Sequence, residues 1–347
     1  MRAIKFRARE HMPMTSSAVR ALALRAPSGQ PFGVGRDALV RYRSTVWNND
    51  RWQTFSARAG DIIISSPPKC GTTWMQMICA LLIFQRTTFE RPLDLMSPWL
   101  EMETRDIGVV MADLDAQPHR RFIKSHTPLD GLPYEEAVTY ICVGRDPRDV
   151  AISLAAHIDN LDLEVLFTAR DSAVGNADLA EVFRDWKPAP TDPVERFWRW
   201  VDEPNTGELE HDSLAWTMHH LATFWEAREQ PNVVLVHYAD LQRDLESEMR
   251  RLAHRLDIDI DDDRLAALAV AAGFDTMRER ADELAPNASE GILQSNRAFF
   301  RSGRTGQWHQ LLDLDGRRRY AERVTQLAPP ELNEWTHDEP IGTRSSG

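Results

Sequence analysis

An α/β fold, a parallel sheet flanked by helices on both faces within a single large domain, is what this chain predicts, and three observations carry it. Four short runs rich in Ile, Val and Tyr are near-continuously apolar instead of alternating, which is the pattern of strands buried on both faces. Segments with helical spacing of apolar residues lie between and after these runs, and strand–helix alternation points to parallel order. The 347 residues slightly exceed what one core usually supports, roughly 250–300 residues, so one large domain with extra segments is expected.

Taken in order, residues 1–45 form a basic extension, with Arg2, Lys5, Arg7, Arg9, Arg20, Arg25 and Arg36 facing only Glu10 and Asp37. Transit peptides share this pattern, but a disordered extension or an upstream start codon accounts for it more simply. Ala38–Trp52 reads as a helix leading into the domain proper, 46–335. Asp61-Ile-Ile-Ile-Ser-Ser is the first strand, stopped by Pro67-Pro68. Gly71 marks a tight loop, and Thr72–Leu82 continues as an apolar helix. This strand–loop–helix unit is P-loop-like. Arg121–Lys124 is a second strand, closed by Ser125-His126-Thr127-Pro128. Thr139–Val143 is a third, followed by Gly144–Asp149 and a helix from Val150. The 158–216 stretch has weaker periodicity, clustered prolines, and Trp186, Trp198 and Trp200 close together, the marks of a variable insertion that serves as an acceptor-binding lid or as surface decoration. Val233–Tyr238 is a fourth strand and Leu241–Leu256 an amphipathic helix. Residues 336–347 are a tail.

Composition excludes several classes. Apolar residues at 42% and charged residues at 27% are ordinary globular usage, so most of the chain folds. A net charge of -12 argues against a general nucleic-acid binder, which needs a basic footprint. Cys70, Cys79 and Cys142 are sparse, odd in number and without CxxC spacing, indicating neither a disulfide framework nor a zinc site and suiting a reducing cytoplasm. No run approaches the ~18 apolar residues of a membrane span. Eleven tryptophans suit a pocket for bulky acceptors, although core packing accounts for most tryptophans in any chain.

The chemistry concentrates in four segments at element ends. In Pro68-Lys69-Cys70-Gly71-Thr72-Thr73-Trp74 the glycine lets backbone approach an anion, the helix start offers free N–H groups, and Lys69 adds a full charge. Lys69 precedes the glycine, so this is not a Walker A loop. Lys124-Ser125-His126-Thr127-Pro128 places an imidazole, able to take a proton near neutral pH, at the end of the second strand. Ten other histidines compete with His126, and its place between two anion-binding segments decides in its favour. Arg145 and Ser153, in Gly144–Ser153, offer a planar fork of donors and, eight residues on, a hydroxyl donor. Arg148 and Asp149 read as a surface ion pair. Phe300-Arg301-Ser302-Gly303-Arg304-Thr305-Gly306-Gln307-Trp308 is a glycine-rich cationic loop.

In this order the four segments resemble the motifs of PAPS-dependent sulfotransferases, from about Asp61 to Trp308. A weaker local likeness, Ser97-Pro98-Trp99-Leu100 and Phe122–Leu132, is to actinobacterial glycolipid sulfotransferases. The resemblance implies transfer of a sulfuryl group from 3′-phosphoadenylyl sulfate (PAPS) to an acceptor hydroxyl, on a small molecule, lipid or glycolipid. Lys69, Cys70, Gly71, Thr72, Thr73 and Trp74 would hold the donor, as would Arg145, Ser153, Arg301, Ser302 and Gly303. His126 would be the general base, with Lys69 and Lys124 catalytic. Trp74 and Phe274 would sandwich the adenine, with the Tyr238 hydroxyl beside it. No metal is implied, nor nucleic acid or a transmembrane segment. A homodimer and a monomer are equally compatible. The chain departs from the family pattern at Cys70 for serine, Ser302 for lysine, Gln307 for aspartate, and Ala272-Gly273 for Thr-Ser. The rival readings are a Mg²⁺-dependent small-molecule kinase of P-loop type and a non-catalytic nucleotide-binding protein.

Overall fold

A computed structural model describes residues 39–179, 188–204, 212–288, 290–339 and 341. Most of the basic extension, Trp186, parts of the 158–216 insertion and most of the tail lie outside the described residues. At its centre, strands β1 (Ile62–Ser65), β2 (Phe122–Ser125), β3 (Thr139–Gly144) and β4 (Val233–His237) form one sheet in the order β2-β1-β3-β4. All three pairings are parallel. Both faces are buried, as the predominantly apolar runs require. Ile62, Ile64, Ile141, Val143, Val234 and Val236 enter one core cluster, while Ile63, Tyr140, Cys142 and Val233 enter the other.

Helix α1 (Thr72–Phe84) covers the first face and the helix Leu214–Glu226 the second. Chain order reverses around β1, whose neighbours β2 and β3 are reached in opposite directions. In open α/β sheets the crevice at the carboxyl ends of such strands is where ligands bind. The loops after β1 and β2 leave the sheet level with each other, because Ser65 pairs with Ser125.

The structure corrects four expectations. Ala38–Trp52 is not a helix where it is described. Trp47 bridges to Met102, Arg43 bridges to Asn48, and only a short 3₁₀ turn, Asn49–Thr54, comes after them, with the Asn48 side chain capping Asp50. Leu241–Leu256 is two helices, Tyr238–Arg243 and Leu245–Arg255, because the Asp244 backbone leaves the helical region and its side chain caps the second. Tyr238 therefore opens a helix and does not end a strand. The helix after β3 begins at Pro147, whose fixed φ suits the first helical position, and is capped by Asp146. Within the insertion, where the sequence leaves a lid and surface decoration both open, helix Pro193–Asp202 buries Phe197, Trp200 and Val201 in the second core cluster. No described helix is long and apolar enough to cross a membrane.

Candidate active site

The loop after β1 is shaped for an anion. Lys69 has φ 67° and Gly71 φ 111°. A Cβ on Gly71 would lie 2.9 Å from the Tyr238 ring, so glycine is required there for space as well as for conformation. As the N-cap of α1, Gly71 has no side chain to satisfy the first N–H groups of the helix. The buried hydroxyl of Thr72 has no partner either. Thr73 is buried beside it and Trp74 half-buried. Cys70 is fully buried in the second core cluster, with its thiol pushed up to about 12 by burial. Its contribution to the loop is backbone alone, and serine's expected hydroxyl is lost because the side chain points into the core.

His126 is tied to this loop. Its Nδ1–H donates to the Ser66 carbonyl at 2.6 Å, three residues before Lys69, which leaves Nε2 with the lone pair. Burial, then the Lys124 ammonium, hold its pKa well below 6.5, so the ring is neutral at pH 7. Trp99 is the platform shared by both groups. Its ring meets His126 edge-on at 4.7 Å and carries Lys124 Nζ 4.4 Å from its centroid. Lys124 is lowered to about 8 by burial, partly opposed by Glu101 and Asp94. Lys69 is lowered to about 7, by burial first and then by Arg145, Lys124 and Arg301. Its ammonium lies 4.0 Å from the centre of the Phe299 ring.

Arg145 joins two loops. It donates to the Lys69 carbonyl at 3.0 Å and to the Arg304 carbonyl at 3.2 Å, its guanidinium lies 4.4 Å from the Tyr238 ring, and its buried Nε has no partner. Ser153 is half-buried in the second turn of the Pro147–Asp159 helix. The expected surface pair of Arg148 with Asp149 is corrected. Arg148 binds Asp146 at 2.5 Å, both buried, and stacks on Trp308 at 3.6 Å. Asp149 instead accepts the N–H groups of Gly306 at 2.6 Å and Gln307 at 2.9 Å, fastening the 301–308 loop to the helix. Neither contact has a local sequence signal, since the partners are 157 and 158 positions apart.

In that loop Arg301 donates to Gln307 Oε1 at 2.6 Å and Gln307 Nε2 to the Arg304 carbonyl at 3.0 Å, so glutamine in place of aspartate organises the turn. Ser302 is half-buried. Gly303 has φ 58°, and a Cβ there would fall 2.4 Å from the Phe274 ring. Trp74 Nε1 donates to the Ala272 carbonyl at 2.8 Å, a backbone bond that Ala272-Gly273 retains without side-chain donors. Trp74 also meets Tyr238 edge-on at 5.2 Å. The Tyr238 ring is thus held between Trp74 and Arg145, while Phe274 packs against Gly303 and Phe300.

Glu101 is not legible in the motifs. Fully buried, it accepts from Trp52 Nε1 at 2.8 Å, from Thr127 Oγ1 at 2.7 Å and from the Ser125 hydroxyl. It clamps the residues on both sides of His126. The one local signal for it is the family likeness of Ser97–Leu100, which ends immediately before it.

The site gathers Lys69, Lys124, Arg145 and Arg301 around an uncapped helix start, with two buried unpartnered donors, Thr72 Oγ1 and Arg145 Nε. Like charges so close repel and desolvate one another, and a polyanion relieves both costs. These residues therefore fit a phosphate- and sulfate-bearing nucleotide.

The sulfotransferase domain family model matches residues 59–335. A glycolipid sulfotransferase of Mycobacterium tuberculosis is 43% identical over 308 residues, covering 86% of this chain and 94% of the relative. Sulfotransferase 1B1 of Mus musculus is 24% identical over 270 residues, covering 75% and 80%. Among solved structures, mouse sulfotransferase SULT7A1 complexed with PAP has a TM-score of 0.60 at 20% identity, covering 83% of this chain and 94% of that one. Retinol dehydratase in a complex with retinol and PAP has a TM-score of 0.61 at 18% identity, covering 82% and 87%. Both share the fold of this chain.

Proposed function

This chain belongs to the sulfotransferase domain family, and from that premise we propose that it moves a sulfuryl group from PAPS to a hydroxyl of a glycolipid, with His126 as general base. One observation carries the reading: the imidazole whose Nδ1 is locked onto Ser66 stands beside the cationic loop that begins three residues later. The name of the mycobacterial relative supports the glycolipid acceptor, and the two PAP-bound structures support the donor. Three buried, unpaired cysteines favour a reducing compartment, and we assign the enzyme to the cytoplasm.

His126 Nε2 removes the proton of the acceptor hydroxyl as its oxygen bonds to sulfur. The bond from sulfur to the phosphate oxygen breaks, and Lys69 neutralises the charge left on that oxygen. Lys124 stabilises the sulfuryl oxygens during transfer. Arg145, Ser153, Arg301 and the Gly303 backbone hold the remote 3′-phosphate. The sulfate ester and adenosine 3′,5′-bisphosphate (PAP) leave, and the imidazolium returns its proton to water. Positioning and charge stabilisation supply most of the acceleration.

The test is incubation of purified protein with a glycolipid and either PAPS or Mg²⁺-ATP, followed by mass spectrometry and fragmentation. A sulfated product from PAPS alone supports the reading. A phosphorylated product from Mg²⁺-ATP, or no product with PAPS, refutes it.

A further inference from the structure

The transfer chemistry uses one imidazole, yet a second stands close to it. His157 lies in the last turn of the Pro147–Asp159 helix, four residues after Ser153 and so on the same helix face, one turn further from Arg145. Its half-buried ring meets Phe299 edge-on at 5.7 Å, and Phe299 is the ring under the Lys69 ammonium. Burial, followed by Lys69, Lys124 and His126, holds its pKa well below 6.5, so three groups of the transfer site act on it electrostatically. Its Nδ1 is buried without a hydrogen-bond partner.

Buried polar atoms in folded proteins are mostly paired, and one left without a partner beside a binding site is a candidate for a ligand's hydrogen bond. An ionised phosphate could use only the ring's N–H and would leave its lone pair unmatched. A neutral ring offers one N–H donor and one lone pair, the complement of a hydroxyl, which likewise donates once and accepts. His126 already takes the reacting hydroxyl.

We propose that His157 binds a second hydroxyl of the acceptor, beside the one that is sulfated, so that the enzyme selects polyols such as sugars over alcohols with a single hydroxyl. The inference rests on the proposed transfer function and names the acceptor class from this chain's own residues. The helix sets the division of labour: Ser153 faces the donor and His157, one turn on, the acceptor.

The experiment offers octyl glucoside and octanol, which share an alkyl tail, in competition for PAPS. It uses the wild type, His157→Phe, His157→Leu and His157→Gln, with PAP-induced thermal stabilisation as a check on donor binding. The wild type is expected to prefer octyl glucoside. Both apolar variants should lower the ratio of kcat/KM for glucoside over octanol by about 10- to 100-fold, the range for losing one hydrogen bond that leaves a buried polar group unpaired. His157→Gln, which keeps a donor and an acceptor, should recover most of that preference, and PAP should stabilise every variant. A wild type without preference, or apolar variants that bind PAP yet leave the ratio unmoved, would overturn the inference alone. A wild type that transfers no sulfuryl group from PAPS to any hydroxyl would overturn the function it rests on.

Discussion

Lys69 makes donor binding depend on pH in a calculable way. In the free protein its ammonium is lowered to about 7 by burial and by Arg145, Lys124 and Arg301. A bound polyanion stabilises the charged form and raises that pKa, so binding takes up a proton wherever free Lys69 is neutral. The sign is then fixed: the Lys69 contribution to PAP affinity is full well below pH 7 and is lost as pH rises through it. With a free pKa of about 7, affinity at pH 8 should be about tenfold weaker than its low-pH limit, about 1.4 kcal/mol. The ligand's phosphates, with second pKa values near 6, are already ionised in this window and do not mask the effect. Isothermal titration calorimetry between pH 7 and 9, in buffers of different ionisation enthalpy, measures both affinity and proton uptake. Lys69→Arg should bind PAP with a flatter pH dependence, because arginine stays charged. Affinity independent of pH in the wild type, with no proton uptake, would refute the argument that a desolvated ammonium awaits the donor.

Single contacts carry other consequences. Glu101→Ala strips the acceptor from three groups, Trp52, Ser125 and Thr127, and should cost about 3 kcal/mol or more in urea denaturation, at roughly 1 kcal/mol or more for each buried donor left unpaired. Gly303→Ala drives a methyl group into the Phe274 ring at a positive φ, and should weaken PAP binding by about tenfold, read by calorimetry, since such strain costs about 1–3 kcal/mol. Asp149→Ala releases the Gly306 and Gln307 N–H groups, so the 301–308 loop should become a site of rapid limited proteolysis that PAP suppresses. All three thiols are buried, with Cys70 and Cys79 pushed up to about 12, so the native protein should show no fast reaction with a thiol reagent until it is denatured.

Much of this architecture is legible in sequence because its signals are local. Ile62, Ile63 and Ile64 form an unbroken β-branched run that only a strand buried on both faces explains, and Pro67 and Gly71 punctuate the loop beyond it. Lys69, His126 and Arg145 stand at strand ends, where the sheet gathers side chains into one crevice. The features that escape reading depend on contacts between distant residues. Asp149 resembles a partner for Arg148 until the fold brings Gly306 to it, and Glu101 resembles any acid until β2 delivers Ser125 and Thr127. His157 carries no motif, and its place beside the site becomes visible only once the fold brings Phe299 back over Lys69. The 39–48 stretch misleads for a related reason. Its apolar spacing suits a helix, yet Trp47 gains more by burial against Tyr42 and Trp216 and by pairing with Met102.

The central claim is that His126 readies the acceptor while the cationic loop grips the donor independently of it. Single-turnover transfer from prebound PAPS to octyl glucoside, compared between wild type and His126→Ala, tests this directly. The account predicts PAP affinity within about threefold of wild type and transfer slower by about 10²- to 10⁴-fold, the usual contribution of a positioned base. Transfer at the wild-type rate in that variant, with PAP still bound, would contradict it.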